Sequence, residues 1–221
     1  MLARLSFMLL TAALVTACGD EAVEDTQQPR SVESIPGVYA GVFPCDGCEG
    51  IEATLWLRTD GTFFLGQRYA ATVDRDVMDV FSLGKWQAIA AGHEIELTGK
   101  GPVRTLARSS DDILDLQTGS SLPHQLLRNE SLTGIDDPIR MEGNVRLGSN
   151  GAVFTECLTG LAAPVSESGD YRRFLHQLRG AGTSDRTVPV ELTGRFSWAN
   201  DGGPQAFIIN RFETIKPDRD C

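Results

Sequence analysis

Positive charge is scarce in this sequence: 20 Lys and Arg stand against 30 Asp and Glu across 221 residues, for a net charge of -10. Binding to a phosphate backbone needs a basic face, so nucleic acid is excluded as a partner, and anionic lipid is not held by charge. Long apolar runs are also missing. The longest, Leu5 to Ala17, falls well short of the roughly 20 residues that a bilayer-spanning helix requires. No nucleophile elbow, His-Glu-x-x-His or phosphate loop is present, so the catalytic classes built on those motifs have no foothold. Soft metal ligands are few. The histidines are His93, His124 and His176, and beyond the first run the methionines are Met78 and Met141. What remains is ordinary for a folded protein, with 41% hydrophobic and 23% charged residues, and a length that suits one large or two small domains.

Arg4 followed by Leu5–Ala17 reads as a secretory signal peptide covering residues 1–17. Val15-Thr16-Ala17-Cys18-Gly19 at its end resembles a bacterial lipobox, in which the cysteine thiol takes a diacylglycerol and its amine becomes the mature N-terminus. The alternative is an ordinary leader followed by a chance cysteine. Acyl chains contribute about 0.8 kcal/mol per buried CH₂, so a multiply acylated Cys18 is a stable membrane anchor. By resemblance to the bacterial sorting rule, Gly19 directs such an anchor to the outer membrane, facing the periplasm, while Asp20 weakens that assignment. Residues 18–34 are acidic, lack apolar periodicity and read as a flexible tether spanning roughly 20–25 Å.

Residues 35–128 read as a domain of short strands. Ala53, Leu55 and Leu57 alternate with Glu52, Thr54 and Trp56, the period-2 pattern of a strand with one buried face. Asp60-Gly61 suits a two-residue type I′ turn into Thr62–Tyr69. Further strands are expected at Phe81–Ile89, Glu94–Thr98, Val103–Arg108, Ile113–Gln117 and Gln125–Arg128. About eight antiparallel strands in this length suggest a meander closing into a small barrel. Asn129–Pro138 is polar and reads as a linker. In residues 139–221, strands at Ile139–Leu147, Ala152–Glu156 and Leu161–Val165 precede a helix, Asp170–Arg179, whose Tyr171, Phe174, Leu175 and Leu178 form one stripe. Ser168 or Asp170 can cap it. Strands Val188–Trp198 and Gln205–Ile215 complete the order of an OB-fold barrel. The fold class is mainly β, a small lipocalin-like barrel or half-barrel followed by an OB fold with one helix.

The sequence has five cysteines. Cys18 goes to lipid, leaving Cys45, Cys48, Cys157 and Cys221 in an oxidising compartment. Four thiols allow three pairings. The domain boundary argues for Cys45–Cys48 and Cys157–Cys221, the second worth about 4 kcal/mol by loop-closure entropy; two free buried thiols are the alternative. Cys45-Asp46-Gly47-Cys48 also admits a thioredoxin-like redox pair or a copper or zinc site, but a strand rather than a helix follows it, and no histidine lies beside it. The plain reading is a stapled hairpin turn, with no catalytic residue and no cofactor beyond the lipid. Glu49, Glu52, Asp136 and Asp137 read as solvated turn charges, and Trp56, Trp86 and Trp198 as core or rim aromatics.

The run Tyr39-Ala40-Gly41-Val42-Phe43-Pro44-Cys45-Asp46-Gly47-Cys48-Glu49-Gly50-Ile51, with Thr54-Leu55-Trp56-Leu57 and Asp60-Gly61-Thr62-Phe63 after it, resembles the N-terminal domain of NlpE lipoproteins. Thr155-Glu156-Cys157-Leu158-Thr159-Gly160, the helix, Leu192-Thr193-Gly194-Arg195-Phe196 and Arg211-Phe212 before Cys221 resemble that family's C-terminal OB domain. The resemblance implies a non-enzymatic outer-membrane lipoprotein that surveys the envelope and triggers a Cpx-type stress response through an inner-membrane sensor kinase. It implies Cys157–Cys221 as the redox-monitoring bridge, Cys45–Cys48 as the N-domain pair, and copper resistance as an indirect effect of signalling. The rival expectation is a periplasmic lipoprotein that binds copper or a small apolar ligand.

Overall fold

A computed structural model describes residues 29–45, 48–70, 77–116, 124–149, 151–180, 187–216 and 221, apart from the side chains of Pro44, Cys48 and Glu49. The expected leader, Cys18 and the expected tether as far as residue 28 lie outside this set. The alternating segments of the first half become β1 (Gly37–Cys45), β2 (Cys48–Leu57), β3 (Thr62–Tyr69), β4 (Met78–Ile89), β5 (Glu94–Gly99), β6 (Arg104–Ser110), β7 (Ile113–Leu116) and β8 (His124–Arg128). They pair in sequence order, and β8 returns to β1 through Tyr39↔Arg128 and Ala40↔Leu127, so the sheet is a closed barrel rather than half of one. Ala53, Leu55 and Leu57 point inward as the alternation requires. With Tyr39, Phe43, Ile95, Leu106, Leu114 and Leu126 they form the buried interior.

Two local expectations are corrected. Gly61 has φ of 78°, but Asp60 is not in the left-handed region, so the β2–β3 connection is not the two-residue type I′ turn, which needs both. Arg58 N–H instead bonds Thr62 O and Gly61 N–H bonds Arg58 O, a longer loop. Asp60 is held out of that geometry because its carboxylate accepts from Thr62 N at 3.0 Å and Thr62 Oγ1 at 2.6 Å. The second correction concerns the end of the tether. Arg30–Ser34 is docked on the barrel base: Arg30 N–H donates to Ala91 O, and Arg108, 3% exposed, donates to Ser31 O at 2.7 Å and Ser34 Oγ at 2.6 Å. Arg128 donates to Ser34 O and Pro36 O, and Ile35 is fully buried beneath them. Composition marks this stretch as linker because the arginines that hold it come much later in the chain.

Arg30 lands on a strained turn. Ala90 and Ala91 carry φ of 48° and 54° between β4 and β5, a region that costs a residue with a Cβ about 1 kcal/mol or more. Ala91→Gly is therefore expected to stabilise the barrel by about 0.5–1 kcal/mol in urea unfolding, since glycine adopts this conformation freely. A neutral or negative change would show that the turn is not strained.

The second half folds as β9 (Ile139–Gly148), β10 (Gly151–Glu156), β11 (Ala162–Pro164), α1 (Tyr171–Gly180), β12 (Thr187–Trp198) and β13 (Pro204–Ile215). Their order is β11-β10-β9-β12-β13, and a parallel bridge from Val165 to Phe207 brings the outer strands together, which is OB topology with the helix between its third and fourth strands. Phe174 and Leu178 are fully buried, as the stripe requires. Asp170 opens the helix with its carbonyl, while its carboxylate accepts Phe212 N–H at 2.8 Å and ties the helix start to β13. The OB core extends across the domain boundary: Phe64 and Leu83 from the barrel's outer face and Ile135 from the connecting segment pack into it.

Candidate functional site

The chemistry-bearing residues gather around the C-terminal cysteine. Cys157 begins the tight turn between β10 and β11. Its N–H bonds Glu142 O at 3.0 Å, and the turn is held from within by Glu156, whose buried Oε2 accepts Thr159 N at 2.7 Å and Thr159 Oγ1 at 2.6 Å. Cys157 is joined to Cys221 by a disulfide, with Cα atoms 5.1 Å apart and 64 positions between them in sequence. The bridge ties the chain end after β13 to the turn between β10 and β11.

Beside it runs a charge network that sequence reading missed. Lys216, just after β13, places Nζ 3.2 Å from Glu142 Oε1 and 2.6 Å from Glu191 Oε2. Arg140 meets Glu191 at 2.5 Å, and Lys100 from the barrel reaches the same Glu142 oxygen at 3.3 Å. The Lys216 ammonium holds both carboxyls below the ordinary glutamate value, helped by Lys100 at Glu142 and Arg140 at Glu191. A depressed carboxyl stabilises the fold above its unfolded pKa, and that contribution is lost as pH falls through its folded value. Lys216→Met is thus expected to lower the melting temperature at pH 7, with the gap from wild type beginning to close at about pH 4, where the glutamates of the unfolded chain protonate, and closing fully only below the depressed folded values. A gap independent of pH would rule out the ion pairs as its cause.

The two domains meet at a second cluster. Arg58, 5% exposed, donates from Nη2 to Gly202 O at 2.6 Å and to Asp60 Oδ2 at 2.8 Å. Its guanidinium lies 3.7 Å from the Trp198 ring centre and 4.8 Å from that of Trp56. Trp198 stands edge-on to Trp56 and Phe64. Burial opposes the charge on Asp60, yet hydrogen bonds from Arg58 and Thr62 keep its carboxyl below the ordinary aspartate value. Of the three tryptophans read as core or rim aromatics, Trp56 and Trp198 form, with Arg58, the joint between domains, while Trp86 packs against the barrel core.

Other candidates are dispersed. Cys45 is disulfide-bonded and sits opposite Cys48 in the β1–β2 register, at the barrel end away from Arg30. A thiolate metal ligand is not available at Cys45 while that bond stands. His93 lies near the base, His124 is buried with its ring 5.8 Å from Phe43, and His176 is exposed on α1. Met78 is half exposed on β4 and Met141 is buried on β9. Among the described residues no group of three or more His, Cys, Asp or Glu side chains could hold a metal. Glu52, Asp136 and Asp137 are exposed.

Comparison with known proteins gives a consistent picture. Residues 39–121 match the NlpE N-terminal domain and residues 135–221 the NlpE C-terminal OB domain. The chain is 27% identical over 216 residues to Lipoprotein NlpE of Escherichia coli K12, covering 92% of this chain and 89% of that one. It is 25% identical to the crystal structure of the Cpx pathway activator NlpE from Escherichia coli, over 85% of this chain and 98% of that one, with a TM-score of 0.34. A crystal structure of a Shewanella oneidensis protein assigned as a lipoprotein is 30% identical over 44% of this chain and 91% of that one, with a TM-score of 0.36. With both domains matched in the family's order, the chain belongs to the NlpE family of lipoproteins.

Proposed function

We propose that this protein is a non-enzymatic activator of an envelope stress response of the Cpx type, anchored by acylated Cys18 to the outer membrane and facing the periplasm. The observation that carries the reading is the presence of both NlpE domains, with the C-terminal cysteine of the second drawn back to Cys157. Formation of that bridge reports whether the compartment is oxidising enough to complete the OB domain. Its failure is the signal, received by an inner-membrane sensor kinase, and copper resistance is an indirect consequence. The tether enters at the barrel base, so the Cys45 hairpin at the opposite end faces across the periplasm.

Two variants test this in the native host. Cys221→Ser should raise a Cpx-type reporter severalfold, and Cys18→Ala should move the protein from the membrane to the soluble periplasmic fraction. A silent reporter in cells whose OB domain is shown to be destabilised removes the redox-monitor reading. Membrane retention of Cys18→Ala removes the lipid anchor.

A further inference from the structure

The barrel is closed at its seam, but its strands are unequal in length. β4 pairs with β3 along Met78–Lys85, whereas its ladder with β5 begins only at Gly84↔Gly99. Met78–Ser82 thus runs past the end of β5, and among the described residues no strand pairs with its second edge. Trp86 N–H bonds Gly61 O on the β3 side, and backbone groups alternate along a strand. Even positions of β4 therefore serve β3, and the N–H and C=O groups of Asp79 and Phe81 point into the open edge. The open stretch ends at Leu83, which is buried with Ile139 and Met141 in the shared core. Such an edge is a template for another strand, and folded proteins blunt it with lysine, proline or a bulge. Met78–Ser82 has none of these, and its one charge, Asp79, is held by Arg68 at 2.8 Å.

Both faces of this edge are apolar. Trp86 and Ala88 pack against the barrel interior, so by alternation Met78 and Val80, 49% and 37% exposed, continue that inner face at the barrel mouth. Phe81 lies on the outer face, against the OB core. Where β5 would continue there is space on each side. The inner space is about 30 Å³, beside Leu65, Ser82 and Leu97, and the outer is about 120 Å³, beside Phe81, Met141 and Leu158. A cavity of the larger size admits a small apolar group. We propose that the free edge of β4 at Met78–Ser82 is a docking site for an extended, uncharged apolar segment of another polypeptide, added as a strand in the track that β5 leaves. The guest backbone bonds Asp79 and Phe81, and its side chains alternate between the mouth and the outer space, which is β-augmentation. Apolar surroundings on both faces call for apolar residues at every guest position, the composition of a segment that a folded protein buries and an unfolded one exposes. With Asp79 neutralised by Arg68, the edge presents no free charge for the guest to match. A second copy of this chain is the poorer occupant, since it brings together two molecules of net charge -10. The site adds a binding activity to the signalling role proposed above and does not depend on it.

Fluorescence anisotropy of the soluble Cys18→Ala protein tests the site, with a labelled peptide carrying the run Val-Ile-Leu-Val-Ile between lysines as the probe. Saturable binding in the micromolar range is expected. N-methylating the amides of that run keeps its side chains and charge but removes its donors, and should weaken binding at least about tenfold. Asp79→Pro acts from the protein's side, because proline removes the N–H aimed into the edge while the bonds to β3 belong to the even positions. It should weaken binding about tenfold, whereas Asp79→Ala, which loses only the exposed pair with Arg68, should change it less than about twofold. Equal affinity for the N-methylated peptide overturns the proposal, since apolar adhesion then accounts for the binding, and that comparison stands even where Asp79→Pro fails to fold. Absence of saturable binding to the Cys18→Ala protein overturns it as well. So does a concentration-dependent dimer in sedimentation that Asp79→Pro abolishes, because the edge is then taken by a second copy.

Discussion

Replacing Cys221 by serine is expected to destabilise the OB domain by about 4 kcal/mol and lower its melting temperature by roughly 15–30 °C. The bond joins positions 64 apart, so its loss returns to the unfolded chain the freedom of nearly the whole domain. A domain of this size has a small core, and a loss of this magnitude is a large share of the total stability of a typical domain. The native contacts near the bond do not replace it. Lys216 still reaches Glu142 and Glu191, but those are partly exposed pairs. The double variant Cys157→Ser/Cys221→Ser should melt close to the single one, since a cross-link is lost only once. Calorimetry of the three proteins decides the matter. A fall corresponding to less than about 1 kcal/mol would mean that the unfolded state is already compact enough to need no cross-link.

Arg58→Met is expected to cost about 3 kcal/mol and to divide one unfolding transition into two. Methionine keeps an apolar stem between Trp56 and Trp198 but forfeits the bonds to Gly202 O and Asp60 and the attraction of the rings. Arg58→Lys should recover little of this, because an ammonium lacks the planar fork that serves a carbonyl and a carboxylate while lying flat on an indole. Urea unfolding followed by tryptophan fluorescence reads the joint, and circular dichroism reads the sheets. A single transition with a loss below about 1 kcal/mol in Arg58→Met would show that the domains are held by their apolar faces alone.

These two residues mark where the sequence was readable and where it was not. Cys221 is legible because an even set of cysteines in an oxidising compartment invites pairing and the domain boundary limits the partners. The strands are legible for a similar reason: alternation at Ala53, Leu55 and Leu57 is a local signal, and their inward placement follows from it. The stripe on α1 is likewise contained within a few turns. Arg58 carries no such mark. It stands beside Asp60-Gly61 and resembles any solvated turn arginine, and it becomes buried because Gly202 arrives from 144 positions away. Lys216 and Glu142 are 74 positions apart. Docking of Arg30–Ser34 was hidden in the same manner, since a polar stretch is linker until the arginines that bind it are known. Periodicity reports which face of an element is apolar, and says nothing of which distant polar group will meet it.

The late arrival of those arginines also sets an order in time. Arg128 takes Ser34 O across 94 positions, and the seam of the barrel pairs β1 with β8 through Tyr39↔Arg128 and Ala40↔Leu127. A chain delivered from the N-terminus presents β1 first and β8 last among the barrel strands, whereas β12 and β13 are neighbours in sequence and can pair as soon as they emerge. Contacts of such long range are slow to form. Within the barrel, closure is therefore the pairing that waits longest, and throughout that wait the future interior row of Tyr39, Leu55 and Leu57 is open to water and to any chaperone that binds it.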